Sequence, residues 1–582
     1  MKKRRKSAAA ESVVTGYDYS TREAREETVS ALFARARSAR SAVEQEWTRY
    51  NDYYNFIHDT TALLARSAEE GENLCTAVVP DPWIIVESQV DPHVPQPLFR
   101  GRDSEGDDGC AREREYVVRY ICENNRLADM NTRNERRLLK YGDAFWKAYW
   151  DAEMPCGAEE GDIRIRDVPV DAVYPDPAVR DGTIQDGQYL DYVYRVHKVR
   201  FVQMFGETLA EADAAAEELT GRDGGRGELF AMDEALCETD DTVQILEHWF
   251  KQPVEVDGIP AGSVACSIQA GGRELRYIPD YWRRTHRQCK LFPFVHYWRV
   301  QDENQIWNKS ELFPVLDLVD AADRKLSMGV LGDALLSNDI ILAEEGALSE
   351  GQQFTNEPGA VIHVKPNRIN AVRRLGGIQS MANAAVGLEW YKDEIERSTR
   401  NYETSRGKET RRTDTASGLA MLRSDAESQA DIKRADRNRG FERLYELLDC
   451  LALEFYDEDR MIYLGADEEQ GREKVSFVFN ADRCARTVGS GEERWRYFPR
   501  VDVSITAVDS VMQGKQATLE TLERLSGSSV TAENWKLFAA QLDLLNLPGR
   551  QEIIEDWSRR FAEAALPAEA AERGETEEIH DI

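Results

Sequence analysis

Arg406, Lys408, Arg411 and Arg412 crowd into one polar stretch, Asn401-Tyr-Glu-Thr-Ser-Arg-Gly-Lys-Glu-Thr-Arg-Arg-Thr-Asp-Thr-Ala-Ser-Gly418, of a chain whose net charge is −32. Cations at this density hold phosphate oxygens, arginine as a planar fork and lysine as a point charge. Two chemistries follow: a nucleotide phosphate loop, or contact with a nucleic-acid backbone. The first fails on its residues. Glu409 follows Gly407-Lys408 where a hydroxyl side chain is needed for the metal, Tyr402 stands where the loop's first glycine belongs, and no strand leads in. Backbone contact remains.

Other reactive residue types are dispersed. Asp176, Asp181 and Asp186 surround Tyr174-Pro-Asp-Pro177, but their spacing is not that of a calcium loop, and Asp-Pro and Asp-Gly are ordinary turn chemistry. None of the 8 histidines pairs with another at ligand spacing, so no metal site is expected. The 9 cysteines form no C-x-x-C pair and are irregularly spaced, which points to reduced thiols. There is no G-x-S-x-G elbow and no dinucleotide loop. The residues therefore predict neither an enzyme nor a cofactor. Trp146, Tyr149, Trp150, Trp282, Phe292, Phe294, Tyr297 and Trp298 fall at strand alternation and read as core rather than as base-stacking platforms.

The charge bounds the partners. With 106 acidic against 74 basic residues, the overall field repels nucleic acid, and any phosphate contact is local. At 582 residues and 42% apolar content the chain can build several subdomains with real cores. No apolar run approaches a membrane span, and the basic Met1-Lys-Lys-Arg-Arg-Lys6 lacks the apolar stretch of a signal peptide.

The elements that must position the basic stretch follow from periodicity. Residues 1–19 read as a disordered basic arm. Ser20-Thr-Arg-Glu23 fits a capping box opening a helix to about Phe56. Val78-Val79, Trp83-Ile-Ile-Val86, Ala144 to Trp150, Ile163 to Arg166, Tyr192 to Val196 and Val243 to Phe250 read as strands, with a helix over 111–140 among them and an exposed insertion over 207–240. A helix is expected over 311–336, with Pro314 in its first turn, then a small β-rich module at 337–378 and a helix at 379–400. A third helix starts near Ala416 and runs to about Phe455. It is polar through its middle, and Gly440 is a possible bend. Strands close the body over 473–507. Helices at 514–526, 532–545 and 549–565 precede an acidic tail.

Four local patterns stand in a telling order: Tyr141-Gly142-Asp-Ala before an aromatic strand; Val173-Tyr-Pro-Asp-Pro177 followed by Asp181 and Asp186; Leu291-Phe-Pro-Phe294 leading to Trp307 and the helix from Ser310; and Thr415-Ala-Ser-Gly418 after the basic loop. Together with the order of elements they resemble the portal proteins of tailed bacteriophages, the head-to-tail connectors, over nearly the whole chain. The resemblance implies an α+β, portal-like fold. It places the wing at 20–310 and 457–513, with a long wing helix at 419–456. Stem helices fall at 311–336 and 379–400, the clip at 337–378, the tunnel loop at 401–418, the crown at 514–566 and the acidic tail at 567–582.

It further implies a ring, normally of twelve subunits, at one capsid vertex of the virion, assembled in the host cytoplasm. Double-stranded DNA, bound without sequence preference, is packaged through the ring by the terminase large subunit and later ejected. Arg406, Lys408, Arg411 and Arg412 become the DNA-facing residues. Asn367, Arg368, Arg373 and Arg374 of the clip become docking residues for terminase or tail adaptors. Capsid and scaffolding proteins are further partners; a membrane, a metal and a cofactor are not implied. Two alternatives stay open: a nucleic-acid-processing enzyme with an unrecognised active site, and another ring-forming virion adaptor.

Overall fold

The first helix starts at Thr21, one residue later than a Ser20 cap would put it. The Thr21 hydroxyl accepts from Ala24 N at 3.2 Å, and α1 (Arg22–Tyr54) follows. Just before it, Tyr19 is buried and stacks on Phe250 at 3.7 Å, so the expected disordered arm does not extend to residue 19. The computed structural model describes residues 17–59, 77–102, 108–156, 159–180, 182–206, 242–256, 258–285, 288–337, 340–343, 372–375, 380–399, 416–465, 474–488, 495–505 and Phe538. The rest of the arm, the 207–240 insertion, residues 344–371 of the expected β-rich module, most of the basic loop, the helices expected beyond 513 (Phe538 apart) and the acidic tail lie outside them.

Trp83-Ile-Ile-Val86 is helical, not a strand. It lies in α2 (Asp81–Glu87), where Pro82 occupies the first turn and Pro82, Ile85 and Val86 are buried together. Four apolar residues in a row carry no period, so helix and strand were indistinguishable there. Val78 and Val79 likewise join no strand. The single helix expected over 111–140 is two, α3 (Asp108–Asn124) and α4 (Leu127–Tyr141). Arg126 takes a left-handed backbone (φ 51°) between them, and Asn125 turns its side chain to Ile163 O and Ile165 N, 2.8 and 2.9 Å away.

The β body is antiparallel. β1 (Pro97–Gly101) is followed by β2 (Asp143–Cys156), β3 (Glu159–Val168), β4 (Val173–Pro175), β5 (Tyr189–His197), β6 (Thr242–Lys251), β7 (Val264–Ala270), β8 (Arg273–Ile278) and β9 (Phe294–Trp298), with a short helix, α5 (Lys198–Phe205), between β5 and β6. One sheet has the order β3-β2-β9, another β4-β5-β6-β7-β8. In the first, Trp146 stands opposite Asp167 on one side and Val295 on the other. The aromatic residues are core, as expected, but Trp282 and Phe292 lie outside the strands, and β9 and residues 144–148 of β2 are buried on both faces. Trp146, Trp282, Phe292, Phe294, Tyr297 and Trp298 are buried, and Trp150, half-buried, stacks on Phe455 at 5.4 Å.

Beyond the sheets, α6 (Leu316–Ser337) begins five residues later than expected, after Pro314 rather than around it. Ser310 accepts Leu312 N on its hydroxyl and Phe313 N on its carbonyl, which makes a turn first. β10 (Ile340–Ala343) pairs with β11 (Val372–Leu375), and α7 (Ser380–Thr399) returns antiparallel along α6. The long helix α8 (Ala416–Phe455) crosses the body. The chain then forms β12 (Arg460–Leu464), β13 (Val475–Phe479), α9 (Ala481–Cys484), β14 (Arg486–Val488), β15 (Trp495–Tyr497) and β16 (Val501–Ile505). β16 pairs with β1. The result is the α+β architecture the sequence implies. Among the described residues, no helix is long and apolar enough to cross a membrane.

Candidate functional site

Of the residues singled out in the sequence, Arg373 and Arg374 lie on β11, opposite Leu342 and Ile341. Asn367, Arg368, Arg406, Lys408, Arg411 and Arg412 lie outside the described residues. What is described is the frame that holds the basic loop. α7 ends at Thr399 and α8 begins at Ala416, where the periodicity starts the third helix, so the last three residues of the loop delimited at 401–418 are helical.

The polar character of α8 has a physical cause in its partners. Lys433 donates to Glu311 Oε1 at 2.5 Å, and Arg299 donates to the same oxygen at 2.6 Å. Burial pushes the Glu311 carboxyl up, but the charges of Arg299 and Lys433 outweigh it and hold its pKa below the ordinary value. One turn on, Arg437 donates to Glu135 of α4 at 2.7 Å and to His93 O at 2.6 Å. Gly440 then lies against β9, where a Cβ would meet Tyr297 Cβ at 2.6 Å, so the glycine allows contact rather than a bend. Arg443 reaches His296 O at 3.2 Å, Tyr445 donates to Pro95 O, and Asp449 accepts Arg114 Nε at 2.8 Å. Contacts from Lys433 to Asp449, on more than one side of α8, fix it to the body.

α6 is held by carboxylates along one side. Asp317 and Asp320 accept from Arg49 at 3.1 and 2.9 Å, and Tyr53 also donates to Asp320. Asp323 accepts Val79 N at 2.7 Å, and its other oxygen lies 2.5 Å from His58 Nδ1. Ser327 exchanges two hydrogen bonds with the Ala77 backbone, at 3.0 and 3.1 Å. α7 packs on α6 where Lys325 runs over Gly387, whose missing Cβ would sit 2.9 Å from Lys325 Cε.

The quoted sequence patterns are joints of this frame. Gly142 ends α4 with φ +88°, and a Cβ there would meet Asn308 O at 2.5 Å. The adjoining Asp143 accepts Asn308 N at 2.8 Å and lies 2.8 Å from His296 Nε2. Asp176 accepts Ala178 N at 2.9 Å and Gln188 N at 3.2 Å, which is turn chemistry. Gln185 bridges Phe292 and Phe294 by accepting Phe292 N at 2.7 Å and donating to both carbonyls.

Sequence reasoning missed three histidine–carboxylate pairs, His58–Asp323, His296–Asp143 and His248–Asp191, whose side chains are 0 to 5% exposed. Tyr19 adds its hydroxyl to His248 at 3.1 Å. Asp191 on β5 and His248 on β6 are fully buried, and Tyr19 nearly so. Burial raises the Asp191 pKa against the opposing charge of His248. These groups fasten strands and helices. No group of His, Cys, Asp or Glu among the described residues is placed to hold a metal ion.

A family model described as "Phage P22-like portal protein" matches residues 92–579. No curated protein matches the chain.

Proposed function

The chain belongs to the phage P22-like portal protein family, a structural component of the virion, and from that premise we propose that it forms a ring at one capsid vertex whose channel conducts double-stranded DNA. The single observation that carries this reading is a family match covering the β body, the α6–α7 hairpin and α8 together. In this reading the β body (20–310 and 457–513) with α8 is the wing, α6 and α7 are the stem, 337–378 is the clip, 401–418 the tunnel loop and 514–566 the crown. The terminase large subunit packages DNA through the ring. Tail adaptors then dock on clip residues including Asn367, Arg368, Arg373 and Arg374, and the genome leaves by the same route.

The physics of a conduit supports this reading. A channel must not hold its cargo. An acidic wall repels phosphates, and a few cations at a constriction touch the backbone without gripping it. Twelve copies at −32 each give −384, so counterions screen the assembly and the local cations matter more than the field. Arg406, Lys408, Arg411 and Arg412 are carried between two helices, one of which is fixed to the body from Lys433 to Asp449. That is how a constriction keeps its place under a moving duplex.

Electron microscopy of the purified full-length protein tests the ring: particles of uniform stoichiometry are expected, and a monomer that cleaves or modifies DNA overturns the proposal. Replacing Arg406, Lys408, Arg411 and Arg412 by alanine should leave the ring intact and reduce the length or retention of packaged DNA. Unchanged packaging would remove the loop from the mechanism.

A further inference from the structure

Between α4 and β3 lies a recess of about 380 Å³ lined by Arg126, Arg133, Arg164 and Arg166, with Met130 and Met154 among its walls. Two of the arginines are already engaged: Arg133 lies 2.5 Å from Asp167 and Arg164 lies 2.6 Å from Asp151. Arg126 and Arg166 are exposed and have no carboxylate partner among the described residues; Arg166 only covers the Tyr149 ring at 5.8 Å. Arg126 also sits at the N-cap of α4, whose first turn has no side-chain cap. Unneutralised cations gathered in a concavity are unusual in a chain with 106 acidic and 74 basic residues.

We propose that this recess is a contact between neighbouring subunits, in which Arg126 and Arg166 receive carboxylate side chains from a second copy of this chain. The inference rests on the ring reading above. Copies that each carry −32 repel one another when placed side by side, so a ring needs spots where cations are left over for the neighbour. Arginine and methionine, without lysine, are the side chains that protein interfaces favour. A duplex fits this place poorly. It brings a charge every ~1.7 Å of its axis, and only a few of those could enter the recess while the others faced acidic surface. A carboxylate can enter singly, and an arginine fork binds it in a defined direction.

The test uses the full-length protein and the variants R126E/R166E and R126Q/R166Q, with assembly followed against concentration by native mass spectrometry and sedimentation at low and high salt. The Glu variant should need about tenfold or more protein for half-assembly, with the Gln variant between it and the wild type, since a like charge facing a carboxylate costs more than a lost attraction. Both side chains are exposed, so thermal unfolding of the unassembled subunit should match the wild type. A Glu variant that assembles as the wild type does, while the wild type forms rings, overturns the contact and leaves the ring standing. A variant that assembles normally but loses a duplex oligonucleotide bound by the wild type also overturns it, in favour of DNA. A wild type that forms no ring overturns the reading beneath it.

Discussion

Arg437 and Glu135 meet at 2.7 Å with both side chains buried, joining α8 to α4 across 302 residues of sequence. The pair shows how α8 carries one of its charges into the body: the charge is matched there.

Removing Arg437 takes away the partner of the buried Glu135 and also a contact 3.2 Å from Asp91. Arg437→Met should therefore lower the stability of the full-length protein by roughly 3–5 kcal/mol, whereas Arg437→Met combined with Glu135→Leu should recover only part of that loss, because the contacts to Asp91 and the His93 carbonyl stay lost. Urea unfolding of the single and double variants measures the difference; equal losses in both would show that the pair is not coupled.

Gly440 offers a prediction of sign. Alanine in a helix interior ordinarily gains about 1 kcal/mol over glycine. Here the added methyl would lie 2.6 Å from Tyr297 Cβ and Cγ. Gly440→Ala should instead destabilise, by about 1–3 kcal/mol as over-packing does. In a Tyr297→Gly background, which removes the Cβ as well as the ring, the same change should turn neutral or favourable, which thermal melts of the four proteins would show.

Asp323 satisfies two buried donors, Val79 N–H and the His58 ring. Asp323→Ala strands both, at a cost of about 2–4 kcal/mol. The loss should also be local. Amide exchange at Val79 and along α6 should accelerate well before the β5–β6 amides do, and uniform acceleration would contradict a role at this joint.

Lys140 gives a pH dependence. Burial, then the neighbouring Arg137 charge, push its pKa down from 10.5 to about 8. Below pH 8 the ammonium is charged in both folded and unfolded chains, and the folded state bears the full penalty. Between about 8 and 10.5 the unfolded chain holds the proton that the folded one has lost, so stability rises with pH and the penalty is gone above 10.5. Lys140→Met should lack this rise, which is about 3 kcal/mol at most. Chemical unfolding at intervals from pH 7 to about 10.5 compares the two slopes.

What was legible in the sequence was whatever its own neighbours decide. β2, β5 and β6 alternate in side-chain character, and α7 and α8 hold a helical period between polar breaks, so their type was read correctly and the extents of β6, α7 and α8 were close to those found, while β2 and β5 run further than expected. Trp83 to Val86 had no period to read. The break at Asn125-Arg126 depends on β3, about forty residues further on, which the Asn125 side chain clamps. The buried histidine pairs were invisible for the same reason: His58 finds Asp323 265 positions away, and His296 finds Asp143 at 153. Three aspartates at 317, 320 and 323 do mark one side of a helix, but only the fold supplies Arg49, Tyr53 and His58 to face them. The recess gathers arginines from α4 and β3 that share no sequence motif. The basic loop announced itself by composition alone.

The pairing of β1 with β16 has a consequence for biosynthesis. Pro97 is registered with Ile505, and Gly101 with Val501. The ribosome must therefore extend the chain by 505 − 97 = 408 residues before the earlier strand meets its partner. At about 5–20 residues per second, that is a wait of roughly 20–80 s. Throughout it, one edge of the nascent chain offers unsatisfied N–H and C=O groups to any other nascent chain nearby. Synthesis of many copies at once in one infected cell would make this edge the place where a chaperone has most to protect.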